Sequence, residues 1–157
     1  MIASLKRRWH LLIPMAFLTV VSLVTVKATP DLNPAAVSFK LPDKITWSDP
    51  KDRGESQAIL YGDPTKPGLY IMLIKWYPHH TSRPHFHPND RFLTVLEGTW
   101  WVGTGAKYDP DSMVPMPKGT FVIHYGKQIH YDGAKDEPTM LQVVGEGPAT
   151  GTPAEEK

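Results

Sequence analysis

Four of the chain's seven histidines, His79, His80, His85 and His87, crowd into one short stretch. Within it, His85-Phe86-His87 has the spacing that matters. Residues two apart on an extended chain point to the same side, so both imidazoles can reach one ion while Phe86 packs on the opposite face. Continuing that parity puts Asn89, Arg91, Leu93 and Val95 on the histidine side. The apolar members fit a barrel interior, which places the histidines inside it near an open end. Imidazole suits zinc, iron, manganese, nickel or copper, and the residues do not choose among them. Two imidazoles rarely suffice, so a third donor must return from elsewhere. His130, at the start of a short strand after the turn at Gly126, is the first candidate and His124 the second. The bland counterpart is a pair of hydrogen-bonded or surface histidines. His79 and His80, in a loop-like stretch before Pro84, read as solvated, and so do Lys75 and Lys107.

The elements that must position these side chains are strands. Sixteen prolines and twelve glycines punctuate the chain, and no stretch keeps a helical period long enough to build a helix. Apolar and β-branched runs bounded by Gly, Pro, Asp and Asn recur instead. Strands are expected at 37–41, 45–47, 56–61, 69–77, 92–96, 99–102, 120–125, 129–131 and 139–144. Turns are expected at Asp63-Pro64, Pro67-Gly68, Glu97-Gly98 and Asp132-Gly133, and a Pro-rich surface loop at 109–118. This many short strands, closely spaced, argue for an all-β antiparallel sandwich or barrel, because antiparallel neighbours need only short connections. Residues 37–146 are expected to form that single domain, preceded by a tether at 29–36 and followed by a small, polar, flexible tail at 147–157.

The first 28 residues differ in kind. Lys6, Arg7 and Arg8 are followed by an apolar run over 11–26 and then by Val26-Lys27-Ala28. That is the layout of a secretory signal peptide cleaved near Ala28, and it predicts a periplasmic or secreted protein without stable membrane insertion. An uncleaved anchor is the alternative, and Arg7-Arg8 gives only a weak hint of twin-arginine export. Removing the signal takes away four of the seventeen basic residues and none of the sixteen acidic ones, leaving a net charge of −3. A mildly acidic chain without a basic run gives no support for nucleic-acid binding. The absence of cysteine excludes disulfides, thiolate ligands and a cysteine nucleophile. No phosphate loop, dinucleotide fingerprint or nucleophile triad is present, and no catalytic residue can be assigned.

The run from Pro84 to Thr99, with His85, His87, an apolar strand and Gly98, resembles the first motif of the cupin superfamily. Lys118-Gly119-Thr120-Phe121-Val122-Ile123, followed by Gly126 and His130, resembles the second. The nearest likeness is to small exported bacterial cupins of undefined activity, over 83–105. The resemblance implies a conserved β-barrel of the double-stranded β-helix or jelly-roll type, built from two packed antiparallel sheets. It also implies a divalent transition metal inside one end, held by His85, His87 and His130. The sequence departs from the pattern where the usual glutamate ligand belongs, counting back from Gly98, because Arg91 stands there. Asp90 could replace it only if the strand slipped by one position, which reverses the face. In the second motif Tyr125 replaces the usual proline, and an alternative alignment through Pro117 and Gly119 ends at His124.

Three neutral imidazoles leave the metal its full double charge, which favours anions and acidifies bound water. If Arg91 also faces the cavity, metal and guanidinium together form an anion trap, because arginine suits bidentate carboxylate recognition. The structural counterpart is an Arg91 salt-bridged to Asp90, Asp109 or Asp111. Most of the aromatics on the expected strands belong to the core. Trp76, Tyr125 and Tyr131 join Arg91 as candidate ligand-contacting residues, and they favour a ring-bearing ligand. Two functions fit: a metal-dependent dioxygenase, isomerase or lyase acting on a small anionic or aromatic molecule, or a non-catalytic barrel that binds or senses one. A homodimer paired through sheet edges is a further expectation.

Overall fold

The computed structural model describes residues 32–50 and 54–157, so the expected export signal lies outside the described residues. The chain divides into two compact units, Met1–Ser38 and Phe39–Lys157. In the described part of the first, the N–H groups of Ala36 and Val37 both donate to the Asn33 carbonyl at 3.0 Å, closing a turn. The second unit carries every strand among the described residues. No helix among them is long and apolar enough to cross a membrane.

Eleven strands follow one another: β1 (Glu55–Tyr61), β2 (Gly68–Trp76), β3 (His80–Thr81), β4 (His85–Phe86), β5 (Arg91–Glu97), β6 (Thr99–Thr104), β7 (Val114–Pro117), β8 (Phe121–His124), β9 (His130–Ala134), β10 (Thr139–Gly147) and β11 (Thr152–Pro153). They form two sheets, ordered β1-β2-β10-β5-β8 and β11-β4-β9-β6-β7, with β3 also on β9. All pairings are antiparallel. This is the two-sheet all-β barrel that the strand pattern predicts.

Alternation along the central strands decides which side chains go inside. β10 alternates buried with half-buried or exposed positions along its whole length. Its inward Leu141 lies opposite Ile74 and Val95, and Val143 opposite Met72 and Leu93. From the facing sheet, Trp100, Val102 and Ala134 complete the core. The same inward files then change character. Gly145 lies opposite Tyr70 and Arg91, and Arg91 opposite His124. Across the barrel Thr104 lies opposite His130, and His130 opposite His85. One end of the interior is therefore hydrocarbon and the other imidazole and guanidinium.

Several expected elements differ. Residues 37–41 and 45–47 form no strand; Phe39 and Leu41 are exposed and a 3-10 turn runs over Pro42–Lys44. Strand propensity without a neighbouring edge does not make a strand. The expected loop at 109–118 contains a 3-10 turn at Pro110–Ser112 and then β7, an edge strand on β6. Edge strands tolerate Pro115 and Pro117, and such prolines discourage further pairing. The turn expected at Asp132-Gly133 is the middle of β9. A Cβ on Gly133 would lie 2.3 Å from the His80 carbonyl oxygen, so glycine here serves a close crossing of backbones and not a turn.

The expected flexible tail is also ordered. β11 pairs with β4, the Ala149 N–H donates to the Pro64 carbonyl at 2.7 Å and the Ala154 N–H to that of Pro84 at 2.9 Å. Arg83, stacked 3.8 Å over the Tyr108 ring, grips the Glu155 carboxylate with both Nε and Nη2. Small polar residues read as frayed, but a free sheet edge orders them.

Candidate metal centre

Short pairings bring the imidazoles together. β4 and β9 place His85 directly opposite His130. The loop after β4 carries His87, and the turn joining β8 to β9 is stitched onto that loop. The Lys127 N–H donates to the His87 carbonyl at 2.7 Å, and the Gly126 N–H donates to Asp90 Oδ1 at 2.7 Å. A Cβ on Gly126 would lie 2.8 Å from the Pro88 carbonyl oxygen, so only glycine allows the approach. Ring centroids are 5.0 Å apart for His85 and His87, 4.6 Å for His85 and His130, and 5.4 Å for His87 and His130.

Each of these rings has its Nδ1 spoken for. His85 Nδ1 donates to the Arg83 carbonyl at 2.8 Å, His87 Nδ1 to that of Thr150 at 3.0 Å, and His130 Nδ1 to that of Gln128 at 3.1 Å. An imidazole that donates from Nδ1 keeps a lone pair on Nε2, the arrangement that orients histidine ligands in metal sites. His85 Nε2 and His87 Nε2 stand 3.2 Å apart, two lone pairs facing each other. His130 Nε2 is buried without a hydrogen-bond partner. Two imidazole nitrogens bound to one ion at right angles stand about 3 Å apart. The donor set therefore fits a divalent transition metal, and His85, His87 and His130 form a group able to hold one.

Burial keeps His87, His124 and His130 neutral. It pushes the His87 pKa down from 6.5 to about 2, with Arg91, His85 and His130 adding smaller pushes the same way. Burial lowers His124 and His130 too; for His130 the neighbouring Asp132 opposes the shift. Neutral imidazoles are ready ligands at neutral pH.

Arg91 is the exceptional member. It is only 9% exposed, its Nε has no partner, and among the described residues it makes no ion pair with Asp90, Asp109 or Asp111. Its Nη1 donates to His87 Nε2, the lone pair that a metal would use. Beside it lies the buried Tyr70, whose ring occupies the space a Cβ on Gly145 would need. Burial raises the Tyr70 pKa, with the Arg91 guanidinium opposing, so the phenol keeps its proton.

A cavity of about 730 Å³ opens between the inner face of β2 and residues 79–87. His85, His87, Arg91, Tyr70 and Asp132 line it, with Met72, Ile74 and Trp76 as its apolar wall. The remaining candidates are placed as follows. Trp76 reaches the cavity, but six residues from Tyr70 along β2 put it roughly 20 Å from the arginine level. Tyr131 lies on the outer face of β9, across Gly103, with its hydroxyl donating to the Asp109 carbonyl at 3.1 Å. Tyr125 is 61% exposed and does not line the cavity. Asp90 lies just before β5 and accepts from the Gly126 N–H, capping that turn. His124 is buried inside, its ring 3.8 Å from that of His130. His79 and His80 stand at the cavity mouth and are exposed.

Three participants escaped the sequence reading. Asp132 is inward and buried; extending the strand expected at 129–131 past Tyr131 would have placed it beside His130, but Asp-Gly reads as a turn. Tyr70 belongs to a continuous apolar run with nothing to single it out. The Thr150 carbonyl is backbone and carries no sequence signal.

No protein-family model matches the sequence, and neither does any curated protein. Among solved structures, the polyketide cyclase RemF from Streptomyces resistomycificus is similar at a TM-score of 0.63 and 14% identity, over 77% of this chain and 87% of that one. KdgF from Halomonas sp. aligns at 0.56 with 18% identity, over 69% and 94%. An RmlC-like cupin from Shewanella frigidimarina aligns at 0.56 with 15% identity, over 71% and 90%. The chain has the cupin fold, as the two motifs imply.

Proposed function

We propose that this chain binds a divalent transition metal through His85, His87 and His130, and with it a small carboxylate or similar anion that engages Arg91. The observation that carries the reading is the contact of Arg91 with His87 Nε2. A guanidinium has no lone pair, so it is the donor, and it competes with a metal for the same nitrogen. An anion paired with Arg91 would draw the guanidinium away and release that lone pair. Metal and anion would then assist each other, with a coupling of about 1–3 kcal/mol, and the assistance would be reciprocal.

A bound metal supplies Lewis acidity or, with iron, a place for oxygen activation. The chain's own residues supply the rest. Arg91 binds and orients the anion, and the protonated Tyr70 hydroxyl beside it is a second donor. The apolar wall of Met72 and Ile74 accepts the body of the molecule and excludes water. This supports a metal-dependent dioxygenase, isomerase or lyase, working outside the cytoplasm if residues 1–28 act as the export signal that their pattern suggests.

Calorimetric titration of benzoate and aliphatic carboxylates against wild type and Arg91→Ala, with and without Zn(II), tests the reading. Wild type should bind the carboxylate about tenfold more tightly than the variant, and carboxylate should tighten Zn(II) binding in wild type alone. Equal carboxylate affinity in both proteins would eliminate it. Oxygen uptake by the Fe(II)-loaded protein then separates oxygenase chemistry from simple binding.

A further inference from the structure

His124 and Asp132 are buried polar side chains that the three-imidazole group leaves unused. His124 is 7% exposed, inward on β8, between the Trp100 ring at 5.2 Å and the His130 ring at 3.8 Å. Neither of its ring nitrogens has a hydrogen-bond partner. A neutral imidazole carries one donor and one acceptor, and burying both unmet is costly. Asp132 is also 7% exposed, inward on β9 two residues after His130. Its backbone N–H donates to the Ser82 hydroxyl oxygen at 2.9 Å, but among the described residues no hydrogen bond or ion pair holds its carboxylate. This carboxylate, largely buried at the cavity's edge beside two neutral imidazoles, suits a cation.

We propose that His124, His130 and Asp132 form a second seat for a divalent transition metal, behind the three-imidazole group. Their donor atoms all lie within 4.8 Å of one another. The two seats share His130, whose Nδ1 is engaged by the Gln128 carbonyl, leaving one nitrogen for one ion. They are therefore alternatives. Two imidazoles and a carboxylate make a donor set suited to Fe(II), Mn(II) or Zn(II), and its negative charge attracts a cation. The outer set has no charge of its own and a guanidinium on one of its nitrogens. With no anion present, the inner seat is the better one. The shift outward when an anion takes Arg91 rests on the proposed function; the inner seat itself does not.

Zn(II) competition against a chromophoric chelator, on the mature chain without added carboxylate, is the experiment. Asp132→Asn, nearly isosteric, should weaken Zn(II) by about tenfold or more, whereas His85→Ala should change it by less than about threefold. An Asp132→Asn protein that binds as wild type does overturns the second seat; if His85→Ala then binds weakly, the three-imidazole reading stands. Tenfold losses in both mean one merged site and also overturn it. Thermal melting of the metal-free variants controls for folding. Cu(II) bound to wild type supplies a second readout, because its EPR superhyperfine splitting counts nitrogens. Two are expected, and three would overturn the proposal.

Discussion

β5 and β10 run through two layers of the barrel that obey different rules. In one layer Leu93, Val95, Leu141 and Val143 point inward, each no more than 1% exposed, in one cluster with Met72, Ile74, Trp76, Trp100 and Val102. Further along the same strands Arg91 points inward beside His124 and Tyr70, and buried nitrogens of Arg91, His124 and His130 lack partners. The first layer gains free energy from apolar burial. The second spends some of it on groups that would be better solvated. Strands continuous through both let the stable layer hold the costly one in place, which is how polar sites persist inside small barrels.

Acid should separate the layers most strongly. His87 has a folded pKa of about 2 against an ordinary 6.5, and His124 and His130 are shifted the same way. Above pH 6.5 neither folded nor unfolded chain is protonated at these rings, and the stability is complete. Below it the unfolded chain takes up protons that the folded one cannot, so stability falls as pH falls from 6.5 toward 2. Between about pH 7 and pH 5 the metal-free protein should lose up to about 2 kcal/mol for each such imidazole. Urea unfolding across that range checks it, and a flat profile would show the rings to be open to water. The hydrocarbon layer titrates nothing, and is broken by cavities instead. Leu141→Ala should cost about 2–5 kcal/mol at any pH in the same assay while sparing the metal seat's pH dependence.

The hydrocarbon layer was legible because period-two burial leaves a pattern in residue types. β1, β2, β5, β6, β8, β9 and β10 all coincide with apolar runs, and the inward parity of Arg91, Leu93 and Val95 follows from alternation along β5. The step from His85 to Arg91, by contrast, crosses a loop and a change of sheet that turn Asn89 to the Glu146 carbonyl. The polar layer was legible only where histidine announced itself. Asp132 was hidden by a glycine that allows two backbones to cross. Tyr131 was misjudged because its strand parity relative to His130 turns it outward, and Tyr125 because a strand ending at His124 leaves it in the turn. β4 and β11, with two residues each, are too short for periodicity to register. The C-terminal strap depends on a free sheet edge, a property of the folded state.

That strap gives a smaller effect. Removing residues 148–157 takes away the Thr150 carbonyl that fixes the His87 ring, together with the pairing of β11 on β4. Second-sphere partners of this kind are worth about ten- to hundredfold in metal affinity. Zn(II) titration of the truncated protein with saturating carboxylate should show a loss in that range. Affinity within twofold of wild type would mean that His87 holds its orientation unaided. The Arg83–Glu155 pair is solvent-exposed, and Glu155→Gln should leave melting nearly unchanged.

A small change in stability should also come at the residue with the largest consequence for binding. Arg91→Met removes a buried cation that has no carboxylate partner and replaces it with a flexible apolar chain of similar length. Replacing buried charges by well-packed apolar residues is commonly neutral or stabilising. The metal-free variant should therefore unfold within about 1 kcal/mol of wild type, on either side, in urea at neutral pH. It should also free His87 Nε2 and bind Zn(II) more tightly in the absence of carboxylate, while losing the carboxylate response altogether. A loss of several kcal/mol would instead make Arg91 part of the supporting layer, held by interactions as favourable as those around Leu93, and the division of the barrel into a stabilising layer and a costly one would fail at its central residue.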